Sequence, residues 1–181
     1  MTTAAATTAN WKLDPTHSSV EFSAKHMMFT TVKGRFADID GTVTVNGDSP
    51  ADASVDVTMK AASIDTRTDA RDQHLRSADF LDVDRYPEVT FKSTKIDGSH
   101  DRFSLTGDLT IRDVTRPVTL DVTYEGAGND PWGGRRMGFS ASGKFDRRDF
   151  GLTWNQALEA GGVLVSNEIK IQIDVQLVPS V

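Results

Sequence analysis

The sequence predicts an all-β fold, an extended eight-stranded antiparallel up-and-down barrel with one short helical insertion. Apolar residues recur at every second position in eight separate segments, the mark of strands with one face turned to a core. Turn-forming residues lie between these segments, and connections this short join antiparallel neighbours, because a parallel crossover needs a dozen or more residues. Several segments run to ten or more residues, roughly 33 Å at ~3.3 Å each, which is long for a sandwich. Tilted by about 40°, such strands close a tall barrel that either fills with side chains or holds one small ligand.

The elements follow in order. Residues 1–9 are small and hydroxylated and are expected to form a disordered tail, leaving a single domain over 10–179. A length of 181 residues fits one domain, given ~150 residues as a common size. Val20, Phe22 and Ala24 alternate with Ser19, Glu21 and Ser23. Phe36 is followed by Val43 and Val45 at an odd separation, so a bulge or bend near Asp38 must reset the register. Val55, Val57, Met59 and Ala61 form the third stripe, then Val89 and Phe91 the fourth. Phe103, Leu105, Leu109 and Ile111 form the fifth, and Val118, Leu120, Val122 and Tyr124 the sixth. Met137, Phe139, Ala141 and Phe145 make the seventh, and Ile169, Ile171, Ile173, Val175 and Leu177 the last.

Turn signals separate them at Asn46-Gly47-Asp48, Asp97-Gly98-Ser99, Arg112-Asp113 and the 126–134 stretch with Pro131 inside it. Residues 68–77 break the rhythm, with Thr68 as N-cap candidate and Asp69 in the first turn of a short helix. A less regular insertion spans 149–163, punctuated by Gly151, Gly161 and Gly162. The small residues Ala24, Ala61, Gly107, Ala141 and Gly143 within the stripes imply space inside the barrel.

Composition excludes whole classes of chemistry. Twenty Lys and Arg against 26 Asp and Glu give a net charge of −6, so no nucleic-acid partner is expected, because phosphate tracking needs a basic footprint. With no cysteine, disulfides, thiol chemistry and thiolate metal sites are excluded. There is no uncharged apolar run of about 18 residues for a transmembrane helix and no secretory signal pattern, so a cytoplasmic location is expected.

The motifs are sparse. Gly138 to Lys144 has the spacing of a phosphate-binding loop, but Phe145 stands where Ser or Thr must hold magnesium, and the run lies inside an alternating strand. Asp149-Phe150-Gly151 lacks the companion motifs that give that tripeptide meaning in kinases. His17, His26, His74 and His100 show no metal-ligand spacing, so no metal is assigned. No Gly-x-Ser-x-Gly elbow exists, and no catalytic residue is assigned. Arg71, His74 and Leu75 fall at i, i+3 and i+4 on one helix face. If the helix caps the barrel, Leu75 points in and Arg71 with His74 meets a polar head; the alternative is an Arg–carboxylate contact that staples the helix to the rim. Trp132 and Trp154 lie in irregular segments, where an aromatic covers an opening or packs on the wall.

Ordered motifs then call up a family. Trp11-Lys12-Leu13-Asp14-Pro15-Thr16-His17-Ser18, Val20-Glu21-Phe22, His26-Met27 and Gly34-Arg35-Phe36 resemble the opening of the YceI-like family of lipocalin-like, polyisoprenoid-binding proteins. Ser63-Ile64-Asp65-Thr66, Arg71-Asp72-Gln73-His74-Leu75-Arg76-Ser77, Asp79-Phe80-Leu81-Asp82-Val83 and Tyr86-Pro87-Glu88-Val89-Thr90-Phe91 resemble its middle block. Gly107-Asp108-Leu109-Thr110-Ile111, Val114-Thr115-Arg116-Pro117-Val118 and Arg148-Asp149-Phe150-Gly151-Leu152 complete the match over about residues 10–179.

The resemblance implies a lipocalin-like barrel whose apolar pore holds a long isoprenoid or related lipid, such as a polyprenyl quinone, a polyprenyl phosphate or a fatty amide, often in a homodimer. It brings no catalytic residue and requires no cofactor besides that ligand. The expected pore wall is Phe22, Phe36, Val57, Met59, Leu75, Phe80, Phe91, Leu105, Leu109, Phe139 and Ile171, and the expected head-group contacts at the mouth are His26, Arg71, His74 and Trp154. Many relatives carry an export signal that this chain does not show. Asp113 stands where the family commonly has Gly, a turn position that tolerates Asp. The expected function is carriage, storage or sequestration of such a lipid. Two alternatives stand beside it: an enzyme using His26, His74 or Arg71 as acid–base groups on a lipid-like substrate, and a structural protein with a solid core.

Overall fold

A computed structural model describes residues 8–47 and 50–180. Among them lie eleven strands: β1 (Thr8–Leu13), β2 (Ser19–His26), β3 (Thr30–Phe36), β4 (Ile39–Asn46), β5 (Ala53–Lys60), β6 (Ile64–Asp65), β7 (Glu88–Gly98), β8 (Arg102–Ile111), β9 (Val114–Asn129), β10 (Arg135–Asp146) and β11 (Glu168–Pro179). They build eight staves, because three staves are broken in two. β1 and β2 lie end to end against β11, through Leu13 opposite Leu177 and Ser19 opposite Asp174. β3 pairs with β2 and β6, and its continuation β4 pairs with β1 and β5. Every pairing is antiparallel, and the contact of β1 and β2 with β11 closes the ring. The fold is thus the closed eight-stave antiparallel barrel that the eight stripes predict.

The register resets fall where the parity demands them. Residues 37–38 separate β3 from β4, so Phe36 and Val43 both reach the interior despite their odd spacing. A bulge between Ser93 and Lys95 in β7 does the same for Phe91 and Ile96. On the outer face, threonine hydroxyls pair across β8 and β9, Thr106 with Thr119 at 2.9 Å and Thr110 with Thr115 at 2.8 Å. Alternation therefore sorts apolar side chains inward and hydrogen-bonding ones outward.

The tail boundary needs correction. Thr8 and Ala9 pair with Asn46 and Val45, so the first strand takes in the last two residues assigned to the tail. Residues 1–7 and Asp48 lie outside the described residues. The helix α1 (Asp69–Arg76) matches the expected 68–77 segment. Thr68 occupies its N-cap without a side-chain cap bond; its hydroxyl accepts from Arg71 instead, at 3.2 Å. An eight-residue helix is not stable on its own propensity, and this one is held by tertiary bonds. Buried Asp72 accepts from the Thr66 amide at 2.9 Å and from its hydroxyl at 2.5 Å, while Arg76 donates to the carbonyls of Ala62 and Ile64. No helix among the described residues is long and apolar enough to cross a membrane.

The two ends of the barrel differ. One end carries the turns β4–β5, β7–β8 and β9–β10. The other is covered by residues 61–87, which include α1, and by residues 147–167. In the β8–β9 turn the left-handed position is taken by Arg112 (φ 58°), so Asp113 carries no strain. Near the turn end an ionic cluster spans the break between β1 and β2. Arg136 donates to Asp14 at 2.5 Å, to Gln176 at 3.2 Å and to Asp130 at 3.2 Å, and His17 lies 2.8 Å from Asp14.

The inward glycines do not leave the space expected of them. A Cβ on Gly107 would overlap the Phe91 ring and approach the Lys92 carbonyl to 2.7 Å, and Gly34 and Gly143 seat Phe22 and Leu120 in the same way. Gly107→Ala is therefore expected to cost about 1–3 kcal/mol through overpacking, measured as a lower midpoint in urea unfolding. The bonds from His17 and then Arg136 hold the Asp14 carboxyl at about 2, below its ordinary 3.8. A depressed folded-state value gives stabilisation that is complete above the unfolded-state value and disappears as the pH falls through the folded one. Asp14→Asn should thus lower stability by about 1–2 kcal/mol at pH 7 and by progressively less as the pH falls from about 4 towards 2, read from unfolding curves across that range.

Candidate binding cavity

The inward residues do not fill the barrel. They enclose an elongated cavity of about 520 Å³, within the range of sites that bury a small molecule. This interior is not the solid core of the structural alternative. All eleven expected wall residues, Phe22, Phe36, Val57, Met59, Leu75, Phe80, Phe91, Leu105, Leu109, Phe139 and Ile171, border the cavity.

Register explains how they meet. Val57, Phe91 and Leu109 sit side by side across β5, β7 and β8, and Phe22 faces Ile171 across β2 and β11. Phe22 and Phe36 approach to 5.8 Å between ring centroids. Towards the turn end, Phe139 packs against Tyr124 at 5.3 Å and Phe103 at 6.4 Å. At the covered end Leu75, the inward residue of α1, joins Phe80, Leu81 and Leu152 on the wall.

The expected head-group quartet is not assembled on this wall. Arg71 turns back along its own segment, donating to the Thr66 hydroxyl at 2.7 Å and the Thr66 carbonyl at 2.8 Å. It does staple the start of the helix, through a hydroxyl and a carbonyl rather than a carboxylate. His74 hydrogen-bonds Asp79 at 2.9 Å and lies edge-on to Trp154 at 4.6 Å and Phe80 at 5.1 Å. Trp154 in turn packs on Phe80 at 5.5 Å, so His74 and Trp154 back the wall residue Phe80 from outside the cavity. His26 is exposed at the tip of β2, bridged to Val165. Trp132, at the opposite end, is 88% exposed and covers nothing. Helical spacing put Arg71, His74 and Leu75 on neighbouring positions, but only the apolar one of the three reaches inside.

Polar groups at the cavity come from elsewhere. Tyr124 and the turn residues His100 and Asp101 border it at one end, Arg147 borders it at the other, and Glu21 of β2 is also among the bordering residues. Arg147 is 3% exposed. Its guanidinium donates to the carbonyls of Leu152 at 2.7 Å, Trp154 at 2.8 Å and Ser166 at 2.9 Å, with a longer contact to Val165 at 3.4 Å. A sequence signal for it existed. Ala141, Gly143 and Phe145 point inward, and Arg147 continues their parity two residues later, a charge on the apolar phase of a stripe. Among the described residues no group of three or more His, Cys, Asp or Glu could hold a metal ion.

If Arg71 is structural, Arg71→Gln should loosen the Thr66–α1 junction and cost about 1–3 kcal/mol. Affinity for an uncharged apolar probe should stay within about twofold of the parent when measured by fluorescence titration below the unfolding transition.

Comparison with known proteins agrees with this architecture. The YceI-like domain family matches residues 11–177. Protein YceI of Shigella flexneri is 44% identical over 149 residues, covering 81% of this chain and 78% of the relative. The crystal structure of the Campylobacter jejuni YCEI protein superposes with a TM-score of 0.75 at 31% identity, covering 87% of this chain and 90% of that one. A polyisoprenoid binding domain from Saccharophagus degradans, implicated in plant cell wall breakdown, has a TM-score of 0.67 at 15% identity, covering 94% and 98%; at that identity the likeness is one of fold.

Proposed function

Because the chain belongs to the YceI-like domain family, we propose that it binds a long isoprenoid or similar apolar chain inside the barrel and serves to carry, store or sequester it. The observation that supports this reading is the cavity itself, long, enclosed by staves and walled almost wholly by aliphatic and aromatic side chains. An isoprenoid tail has no hydrogen-bonding groups, so burial and shape must supply its affinity. At ~0.8 kcal/mol per buried CH₂, one five-carbon unit contributes roughly 4 kcal/mol gross. A few units outweigh association and ordering costs of about 4–15 kcal/mol. Discrimination between chain lengths should then be weak. The likeness to a polyisoprenoid binding domain points the same way.

The catalytic alternative finds less support. Arg71 is occupied by Thr66 and Thr68, His74 by Asp79, and His26 is exposed at the tip of β2 and does not border the cavity.

Titration of the lipid-free protein with an environment-sensitive apolar dye, then displacement by a polyprenol, tests the proposal. Saturable binding with displacement is expected. Ala141 is a small wall residue halfway along β10, so Ala141→Phe should weaken dye binding by on the order of tenfold, equivalent to about 1.4 kcal/mol. Absence of saturable binding in the parent protein, or displacement unaffected by the larger side chain, counts against the cavity as the site.

A further inference from the structure

Arg147 is the feature of this cavity that hydrocarbon binding leaves unexplained. Its side chain is buried at the covered end, beside Leu152 and Val165 on the wall. Every hydrogen bond it makes among the described residues goes to a neutral backbone carbonyl. Two other arginines near the barrel ends are neutralised by carboxylates, Arg136 by Asp14 and Asp130 and Arg148 by Asp146 at 2.6 Å. Arg71, Arg76 and Arg112 bond only hydroxyls or carbonyls but do not border the cavity. Asp146, the carboxylate next to Arg147 in sequence, is thereby committed to Arg148. Burial pulls the pKa of Arg147 down, whereas the carboxylate bonds of Arg136 and Arg148 push theirs up.

Anchoring the 152–166 segment accounts for the carbonyl contacts. It does not account for a buried guanidinium that no carboxylate bonds, with Asp146 acting on it only through space, since buried charges are ordinarily paired and hydrogen-bonded. A guanidinium carries five N–H donors and no acceptor. Nε and Nη1 are bonded at 2.7–2.9 Å, while Nη2 has only the 3.4 Å contact to Val165. The partner that would complete it is an oxygen acceptor bearing negative charge, brought in by whatever occupies the cavity.

Resting on the lipid-binding reading above, we propose that Arg147 is the head-group site: the cavity takes a long-chain lipid ending in a carboxylate or phosphate, with its oxyanion against Arg147 at the covered end and its chain running towards the turns. The interior is otherwise so apolar that the head group has one cationic place to go. The Arg71–His74 corner lies outside the wall, and the turn end offers His100 beside the acidic Asp101.

Displacement of the apolar dye from the unmodified protein by a series of equal chain length tests this. Octadecanoate and octadecyl phosphate are expected to compete at least tenfold better than octadecanol, and octadecylamine to compete worst. Inorganic phosphate and acetate at the same concentrations should not compete. Equal competition by acid, alcohol and amine overturns the head-group assignment while leaving the apolar cavity intact; failure of every long chain overturns both. Competition by inorganic phosphate overturns a lipid source for the anion.

Orientation gives a second readout. In the Trp11→Phe, Trp132→Phe protein, Trp154 is the remaining indole, and its carbonyl is bonded to Arg147. A stearate spin-labelled near its carboxylate should quench Trp154 at least twofold more than one labelled near its methyl end. The reverse order, or no difference, contradicts a head-inward pose.

Discussion

The antiparallel seam between β11 and the broken stave β1–β2 is the contact on which the rest of the structure depends. It converts a twisted sheet into a ring. Closure removes the edges that would otherwise invite pairing with other chains and satisfies backbone groups on every stave. It also fixes the diameter, because strand number and tilt set how much room eight staves enclose. The seam is made in two parts, Trp11–Leu13 against one stretch of β11 and Ser19–Ser23 against another. Between them the Asp14 amide donates to the Gln176 carbonyl at 2.9 Å, the Ser18 hydroxyl accepts from the Gln176 amide at 3.1 Å, and the Asp14–His17–Arg136–Gln176 cluster spans the gap. An ionic cluster at the one interruption of the closing seam ties electrostatics directly to the shape of the interior.

Given closure, the cavity follows from side-chain choice. Inward positions are aliphatic or aromatic on all eight staves, and where two bulky groups would collide a glycine admits the ring of its neighbour, as Gly107 does for Phe91. The wall is therefore densely packed while the axis is not. The long connections after β5 and β10 bring chain to one end, where α1, the His74–Phe80–Trp154 rings and the segment pinned by Arg147 form a cover. Among the described residues the other end carries the shorter connections β4–β5, β7–β8 and β9–β10, so the cavity has direction as well as length.

Much of this was legible in the sequence, and the reason is parity. In a strand, position alone decides the facing side, so alternation identified the wall residues that lie on strands, and the odd separation of Phe36 from Val43 located the reset at residues 37–38. Features decided by tertiary contact were not legible. Thr8 and Ala9 look like tail but are captured by β4. Arg71 and His74 share a helix surface with Leu75, yet hydrogen bonds to Thr66 and Asp79 turn them away from the interior. The small residues implied interior space, which the cavity provides with Ala24 and Ala141 on its wall, whereas the glycines only accommodate a neighbouring side chain. Arg147 stands as a charge in an apolar phase, but its burial depends on tertiary bonds to the carbonyls of Leu152, Trp154 and Ser166 that spacing does not show.

The central claim is that an apolar chain occupies the barrel. Native mass spectrometry of the protein isolated under gentle, detergent-free conditions, with extraction and identification of any released species, tests it most directly. A discrete mass increment that leaves on collisional activation and is recovered as a long-chain lipid is the predicted result. A protein observed only at its bare mass, and remaining so after incubation with long-chain isoprenoids and fatty acids, would contradict it.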